Sequence, residues 1–396
     1  RQLFLNKRGG TGYAQAMKFS DPATARTINR LRVLNLLRND GAMSRADISR
    51  SLGLNKPSTS EIVASLIKEG LAEEGGKVET TSGRRPIAVS LKVDSHFVLG
   101  VELGSFTTSF LLSDLKGTIL RYERLPTPHQ PDAKEWGQKV IKSCMKFAST
   151  THLAGIVVAT AATFTPDRKS ILSHENWGWK EIPLAEAIEV HTKVPTILVH
   201  NVEAMVSAER SFAKEESETF LYINWAHHIN AAWVNGSTVS SHHSRFGHLP
   251  IASTGLCQCG GIGCLETVAA GWALKEKGDG LSAKQLAGLN GSNALLTEAC
   301  KAMATALIWA ASITGAEKII LGGGIANIGE EYLQLIRDFY GQHAHHELAS
   351  RPIVQSALKE QSTNLGSIAV ALDHWIFKSS VLQALQGYEK PLPETE

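Results

Sequence analysis

The chain has 396 residues, too many for one small core, so two or three domains are expected. Hydrophobic residues at 43% and charged residues at 20% exclude a disordered chain, and no uninterrupted apolar run reaches the roughly 18 residues of a membrane span. The net charge of +2 conceals an asymmetry, because residues 1–92 carry 16 Lys and Arg against 8 Asp and Glu while the remainder carries 24 against 30. A basic segment on an acidic body suits a polyanionic partner, and no membrane partner is expected. The basic start RQLFLNKRGG lacks the apolar stretch of a secretory signal, and five cysteines is an odd number. A disulfide framework is therefore not expected, and a reducing, cytoplasmic setting is.

Residues 1–20 read as a flexible arm, and residues 21–92 as the first domain. In TARTINRLRVLNLLRNDG, residues Ile28, Leu31, Val33, Leu34, Leu36 and Leu37 fall near helical spacing and stop at Gly41. Ser44 three residues before Asp47 is a capping-box-like start for a second helix, which Gly53 ends. NKPSTSEIVASLIKEG opens a third helix with Pro57 in its first turn, where the missing N–H costs nothing, and Ile62, Val63, Leu66 and Ile67 as its buried stripe. Two short helices joined by a tight turn predict a helix-turn-helix. Lys56, Ser58, Thr59 and Ser60 open its second helix and are the expected contacts to bases or nearby phosphates of a double-stranded DNA operator. The runs around Gly75-Gly76 and TTSGRRP predict a winged hairpin, with Arg84 and Arg85 at its tip for phosphate or minor-groove contact. A helical module that binds protein is the alternative; the basic balance and the arginine tip favour DNA.

From about residue 96 the pattern changes to strands and helices in a βββαβα rhythm, seen twice, which predicts a duplicated α/β body with a cleft between its halves. Within it, CQCGGIGC places Cys257, Cys259 and Cys264 in eight residues, with His248 nine residues upstream of the first. Three thiolates and an imidazole form a closed Cys3His shell, the donor set of a structural Zn2+ site, and the intervening glycines allow the backbone to wrap an ion. Buried free thiols, or a redox pair at Cys257 and Cys259, are the alternatives. Cys144 and Cys300 sit in apolar helical contexts and read as core.

The stretch GHLPIASTGLCQCGGIGCLETVAAG, with ILGGGIANIGEEY and GIVVATAATFTPDRKSILSHENWGWKEIPLAEAI following the same layout more loosely, resembles the ROK family of repressors, open reading frames and sugar kinases. A winged helix ahead of a kinase-like body is similar to its repressor branch, which includes the glucose, N-acetylglucosamine and xylose repressors. The resemblance covers nearly the whole chain. It implies an α/β fold class, a winged helix-turn-helix followed by a two-lobed actin-like, ribonuclease-H-like sugar-kinase fold. Lobe 1 is expected over 96–201 and lobe 2, carrying the zinc loop, over 202–390, with a C-terminal helix that could return to lobe 1. It also implies a homodimer or homotetramer.

The resemblance sharpens a test for catalysis, because phosphoryl transfer needs a phosphate cradle and a base. Where family kinases open with Asp-x-Gly-Gly-Thr, this chain reads ELGSFT, with Glu102, Ser105 and Phe106 at the three altered positions. Where they carry a second glycine-rich phosphate loop, it reads WAHHINAAW, without a glycine between Trp225 and Trp233. Where they carry the base in Asn-Asp-Ala, it has Val202. No enzymatic activity is expected. The sugar contacts carried over from the family are Asn201, His248 and Glu266, with Arg245 replacing a glutamate. His248 can serve both metal and ligand. Arg245 makes a sugar phosphate or sugar acid a candidate beside a neutral sugar, unless it pairs with an acid such as Glu203 or Glu266. Trp177 and Trp179 could stack on a sugar face or pack the cleft edge. The expectation is a sugar-responsive repressor whose effector shifts the lobes and with them the spacing of the DNA heads. An active ATP-dependent sugar kinase with a DNA-binding head is the main alternative, and control by a protein partner is a third.

Overall fold

The computed structural model describes residues 22–77, 87–241, 244–289 and 294–378. Its contacts divide the chain into two units, one of residues up to 92 joined by those from 377, the other of residues 93–376. The expected second lobe over 202–390 therefore ends at Ile376, and Phe377 groups with the first unit.

In the first unit, helix α1 (Pro22–Asp40) is followed by strand β1 (Met43–Ser44), helices α2 (Arg45–Leu52) and α3 (Lys56–Lys68), and strands β2 (Ala72–Lys77) and β3 (Ile87–Leu91). The local chemistry sets these boundaries. Ser44 Oγ accepts the Asp47 N–H at 3.1 Å and donates to Asp47 Oδ2 at 2.6 Å, satisfying a free donor at the start of α2. Gly53 closes that helix at φ +65°, a left-handed conformation that costs glycine little. Asn55 caps α3 through the Ser58 N–H at 2.8 Å. Leu31, Leu34 and Leu37 of α1 are buried, as are Ile48 of α2 and Ile62, Val63 and Leu66 of α3, which together make the small core. The strands pair antiparallel in the order β1-β3-β2, a wing beside the helices. The TTSGRRP run, with Arg84 and Arg85, lies outside the described residues. Phe377 belongs to this unit: its carbonyl accepts from the Asn35 amide at 3.0 Å, and the Arg38 guanidinium lies 4.3 Å above its ring.

The second unit opens with strands β4 (Phe97–Leu103), β5 (Thr107–Ser113) and β6 (Ile119–Pro126), helix α4 (Ala133–Ala148) and strand β7 (Leu153–Thr160). Three short strands, β8 (Thr163–Phe164), β9 (Ile171–His174) and β10 (Trp179–Ile182), form a side sheet before helix α5 (Leu184–Thr192), strand β11 (Thr196–His200) and helix α6 (Asn201–Phe212). Strands β12 (Thr219–Trp225), β13 (Ile229–Asn235) and β14 (Thr238–Ser240) begin the second half. Helices α7 (Glu266–Ala269), α8 (Gly271–Lys277), α9 (Ala283–Ala287) and α10 (Ala294–Thr314) precede strand β15 (Lys318–Gly322), and helices α11 (Glu330–His343) and α12 (His346–Ala349), strand β16 (Ile353–Gln355) and helix α13 (Gln361–Leu372) complete it.

The two main sheets repeat one plan. The first runs β11-β7-β4-β5-β6 and the second β14-β13-β12-β15-β16, so each has three antiparallel meander strands extended by two parallel ones. This is the ribonuclease-H-like order twice over, the two-lobed fold expected from the resemblance. Trp136, Val140, Cys144 and Phe147 of α4 fill one face of the first sheet against Val101, Phe110 and Val158. Helix α13 covers the other face beside α6. That approach needs glycine: a Cβ at Gly100 would lie 2.3 Å from Ser367 Oγ. Helix α10 supplies Leu296, Cys300, Met303 and Leu307 to the core of the second lobe. By length and composition α10 could cross a bilayer, with mean hydropathy 1.3, but half of that stretch is buried inside this core. Glu298 and Lys301 interrupt its apolar run, so the sequence alone does not flag it.

Candidate ligand cavity and metal cluster

The metal cluster is held by the loop ahead of α7. Gly263 sits at φ +72°, and a Cβ there would come 1.8 Å from the Ala252 carbonyl oxygen, so the loop closes only on glycine. This closure brings Pro250 against Cys264 and Leu256 against Ile262. The donor atoms of His248, Cys257, Cys259 and Cys264 then lie within 4.8 Å of one another, and the four residues could hold a metal ion. His248 Nδ1 stands 3.6 Å from Cys257 Sγ, and Cys259 Sγ stands 3.7 Å from Cys264 Sγ. Four ligands about 2.3 Å from a tetrahedral ion are about 3.8 Å apart along the edges, so the spacing suits an ion. It is far too long for a disulfide, and all five cysteines are free.

Beside the cluster a cavity of about 480 Å³ opens between the two lobes. Lobe 1 contributes Ser105 and Phe106 from the β4–β5 turn, Ser173, Glu175, Asn176 and Trp177, and His200 at the end of β11. Lobe 2 contributes His227 to Asn230 between β12 and β13, then Ser244, Arg245, Gly247, His248 and Glu266. Cys259 also lines it, so the metal loop forms part of the wall.

Three of the four expected ligand contacts reach this cavity: Arg245, His248 and Glu266. Asn201 does not line it. As the first residue of α6 its Oδ1 turns back to the Val202 N–H at 2.9 Å, a helix-start contact, and His200 lines the wall instead. Arg245 already has an anionic partner, Glu175 from lobe 1 at 2.9 Å. Neither acid suggested by the sequence plays that part, since Glu203 pairs with Arg168 at 3.0 Å. Glu266 is buried, and three donors converge on it: the Ile229 N–H at 2.7 Å, the Trp272 indole N–H at 3.1 Å and His228 Nδ1 at 3.4 Å. Burial raises its pKa, but these bonds outweigh burial and hold the carboxyl below its ordinary value. Trp177 lines the cavity with one face stacked on His174, ring centroids 4.1 Å apart. Trp179 points into the core and donates to the Pro131 carbonyl at 2.6 Å.

The positions that would carry kinase chemistry are filled. Phe106 meets the edge of His227 at 4.7 Å across the cleft, where two phosphate loops would need open backbone. Burial and the neighbouring His228 push the His227 imidazole down to about 4, so it is neutral at physiological pH. Val202 has no exposed surface and packs with Met205 and Val206 against Phe220 and Tyr222 of the second sheet. Glu102 is buried, with no hydrogen-bond partner for Oε2 among the described residues, and burial raises its pKa well above the ordinary range.

In the first unit, Lys56 is exposed and Ser58 and Ser60 are half-buried, whereas Thr59 is fully buried. Its hydroxyl donates to the Asn55 carbonyl at 3.0 Å, so Thr59 belongs to the core face of α3 and is withdrawn from the DNA contacts. Glu61, Ala64 and Lys68 share the exposed face with Lys56, a stripe that helical spacing alone could have identified. His227 and His228, which replace the glycines of the second phosphate loop, line the cavity as polar residues at that position would, whereas His200 at the end of β11 has no signal in the sequence.

Residues 98–374 match the sequence profile of the ROK family, and residues 26–73 match a winged helix-turn-helix DNA-binding profile. The DNA-binding transcriptional dual regulator NagC of Escherichia coli K12 is 26% identical over 266 residues, 63% of this chain and 64% of that protein. The chain thus spans less than two thirds of that relative's length in the match. The xylose repressor of Bacillus subtilis 168 is 24% identical over 381 residues, 91% of this chain and 99% of that protein. Among solved structures, a ROK family transcriptional regulator described as a homolog of the E. coli MLC protein aligns with TM-score 0.78 at 20% identity, covering 91% of this chain and 98% of that one.

Proposed function

The chain belongs to the ROK family, and we propose that it is a sugar-responsive transcriptional repressor whose kinase-like unit binds an effector without phosphorylating it. The observation that carries the reading is Val202, buried where a kinase of this family would hold its base, in a chain that also has a winged helix. Valine has no proton-accepting atom, and Phe106 with His227 occupies the phosphate end of the cleft. The names of the relatives support the repressor role.

In this reading the recognition helix α3, through Lys56, Ser58 and Ser60, meets a double-stranded DNA operator, with Arg84 and Arg85 reaching the backbone or minor groove. A homodimer or homotetramer in the cytoplasm would present two such helices to successive major grooves. The effector is a sugar or sugar derivative held in the cavity by Arg245, His248 and Glu266. Arg245 pairs with Glu175 from lobe 1, but both side chains are more than half exposed, so the pair is weak and the arginine is open to a ligand. Zinc at His248, Cys257, Cys259 and Cys264 is structural. Its tetrahedral, redox-inert binding would brace the wall that carries Glu266, and would supply folding energy to a loop with little core of its own.

The kinase alternative gives the direct test. Purified protein is incubated with magnesium ATP and glucose, xylose or N-acetylglucosamine, and phosphorylated sugar is measured. None should accumulate above background, while the same preparation should melt at a higher temperature with one of the sugars. Sustained ATP-dependent phosphorylation would overturn the proposal.

A further inference from the structure

Glu266 is the carboxylate expected to meet a ligand's hydroxyl groups, yet the chain itself engages it. One oxygen accepts the Ile229 N–H, and the other accepts from Trp272 and from His228 Nδ1. A carboxylate only accepts hydrogen bonds, so the pairing places an imidazole proton on Nδ1, and in that tautomer Nε2 is the acceptor nitrogen. His228 lines the cavity, and its Nε2 has no partner among the described residues. The ring is also held from the side, with His227 edge-on at 4.8 Å and an interplanar angle of 82°.

We infer that His228, positioned by Glu266 and Trp272, reads the ligand by accepting a hydroxyl hydrogen at Nε2. The inference rests on the proposed effector role of this cavity and narrows its chemistry. An acceptor nitrogen positioned by a carboxylate and an indole N–H rewards an O–H donor. It offers no donor to the oxygens of a phosphate or carboxylate, which are themselves acceptors. Arg245 is the only Arg or Lys lining the cavity among the described residues, and it stands in contact with Glu175 of lobe 1 and not with His228. The group that meets His228 is therefore a sugar hydroxyl rather than the anionic group of a sugar phosphate. The substitution of a glycine-rich loop by WAHHINAAW thus does more than obstruct phosphates: it places a new reading group in the cavity.

The test is isothermal titration calorimetry on the full chain at pH 7.5 with glucose, xylose, N-acetylglucosamine and a phosphate ester of each. At least one uncharged sugar should bind, and its ester should bind no more tightly. His228→Phe keeps a ring but loses the acceptor, and should weaken that sugar by about tenfold, the scale of one lost hydrogen bond. His228→Gln, whose amide oxygen can accept at a similar reach, should recover most of the loss. The melting temperature without ligand identifies variants that fold normally, and His228→Ala replaces the phenylalanine variant if the larger ring disturbs the loop. Unchanged affinity in a folded variant without the acceptor would overturn the assignment, as would tighter binding of the ester. Either result leaves the repressor reading intact, since operator binding is measured separately on the same preparation. Failure of every sugar to bind wild type, with operator binding retained, would overturn the inference together with the effector role of the cavity.

Discussion

Glu102 and His174 are buried groups whose titration can be followed through stability. Glu102 lies on β4 opposite Ser109 and Ala159, on the face that α13 covers, and burial raises its pKa well above 4.5. The unfolded chain releases this proton near pH 4.5 while the folded chain keeps it, so the group costs stability increasingly as pH rises above that value. Glu102→Gln should therefore raise the melting temperature at pH 7.5 by roughly 2–4 °C. The gain should shrink toward zero near pH 4, and a gain of equal size at both pH values would contradict the burial argument. His174 works in the opposite direction. Burial lowers its pKa to about 4, so stability falls as pH drops from about 6.5 toward 4, where the unfolded chain takes up a proton that the folded chain refuses. Thermal melts across pH 4–8 should place the stability maximum between these two losses, and His174→Phe should flatten the acid side.

Elements give two further tests. The metal loop has no helix or strand to support its fold between Pro250 and Cys264, so its order should depend on the ion. Elemental analysis should find one zinc per chain, and chelation should lower the melting temperature by about 5–10 °C, equivalent to a loss of a few kcal/mol. Cys264→Ser should abolish that response, while Cys300→Ser, remote from the loop, should retain it. On α3, Lys56→Ala should weaken DNA binding across sequences and reduce the salt dependence by about one unit of slope. Thr59→Val should leave DNA affinity within about twofold and affect stability instead, because its hydroxyl serves the helix interior.

The same two elements explain what could be read from the sequence. Helix caps and cysteine spacing are local, so Ser44, Gly53 and the Cys3His set were legible from the order of residues alone. Thr59 was misread because a run of polar residues at a helix start does not reveal its core face until the apolar stripe of Ile62, Val63 and Leu66 is projected around the helix. Asn201 is not in the cavity lining because its Oδ1 turns to the Val202 N–H, a local contact that looks the same in sequence as a ligand-binding one. The Arg245–Glu175 pair joins residues 70 positions apart across the cleft, which no spacing rule reaches.

At the scale of the whole molecule, two duplicated lobes enclose a cavity whose contacts cross between them: Phe106 with His227, and Glu175 with Arg245. A ligand that binds between lobes can alter their closure only by as much as its affinity differs between the two arrangements. A regulatory coupling of about 1–3 kcal/mol corresponds to a change of about 5–150-fold in operator affinity. The repeated strand order follows from the βββαβα rhythm, whereas the grouping of Phe377 with the winged-helix unit does not, since it depends on contacts between opposite ends of the chain.

The measurement that bears most directly on the central claim is operator affinity by fluorescence anisotropy at fixed salt, using DNA from upstream of the protein's own gene. Each titration is repeated with glucose, xylose, N-acetylglucosamine and their phosphate esters. The operator DNA should bind specifically, and one uncharged sugar should shift that affinity by at least about fivefold. DNA binding that no sugar alters, or no preference for that DNA over an unrelated duplex, would contradict it.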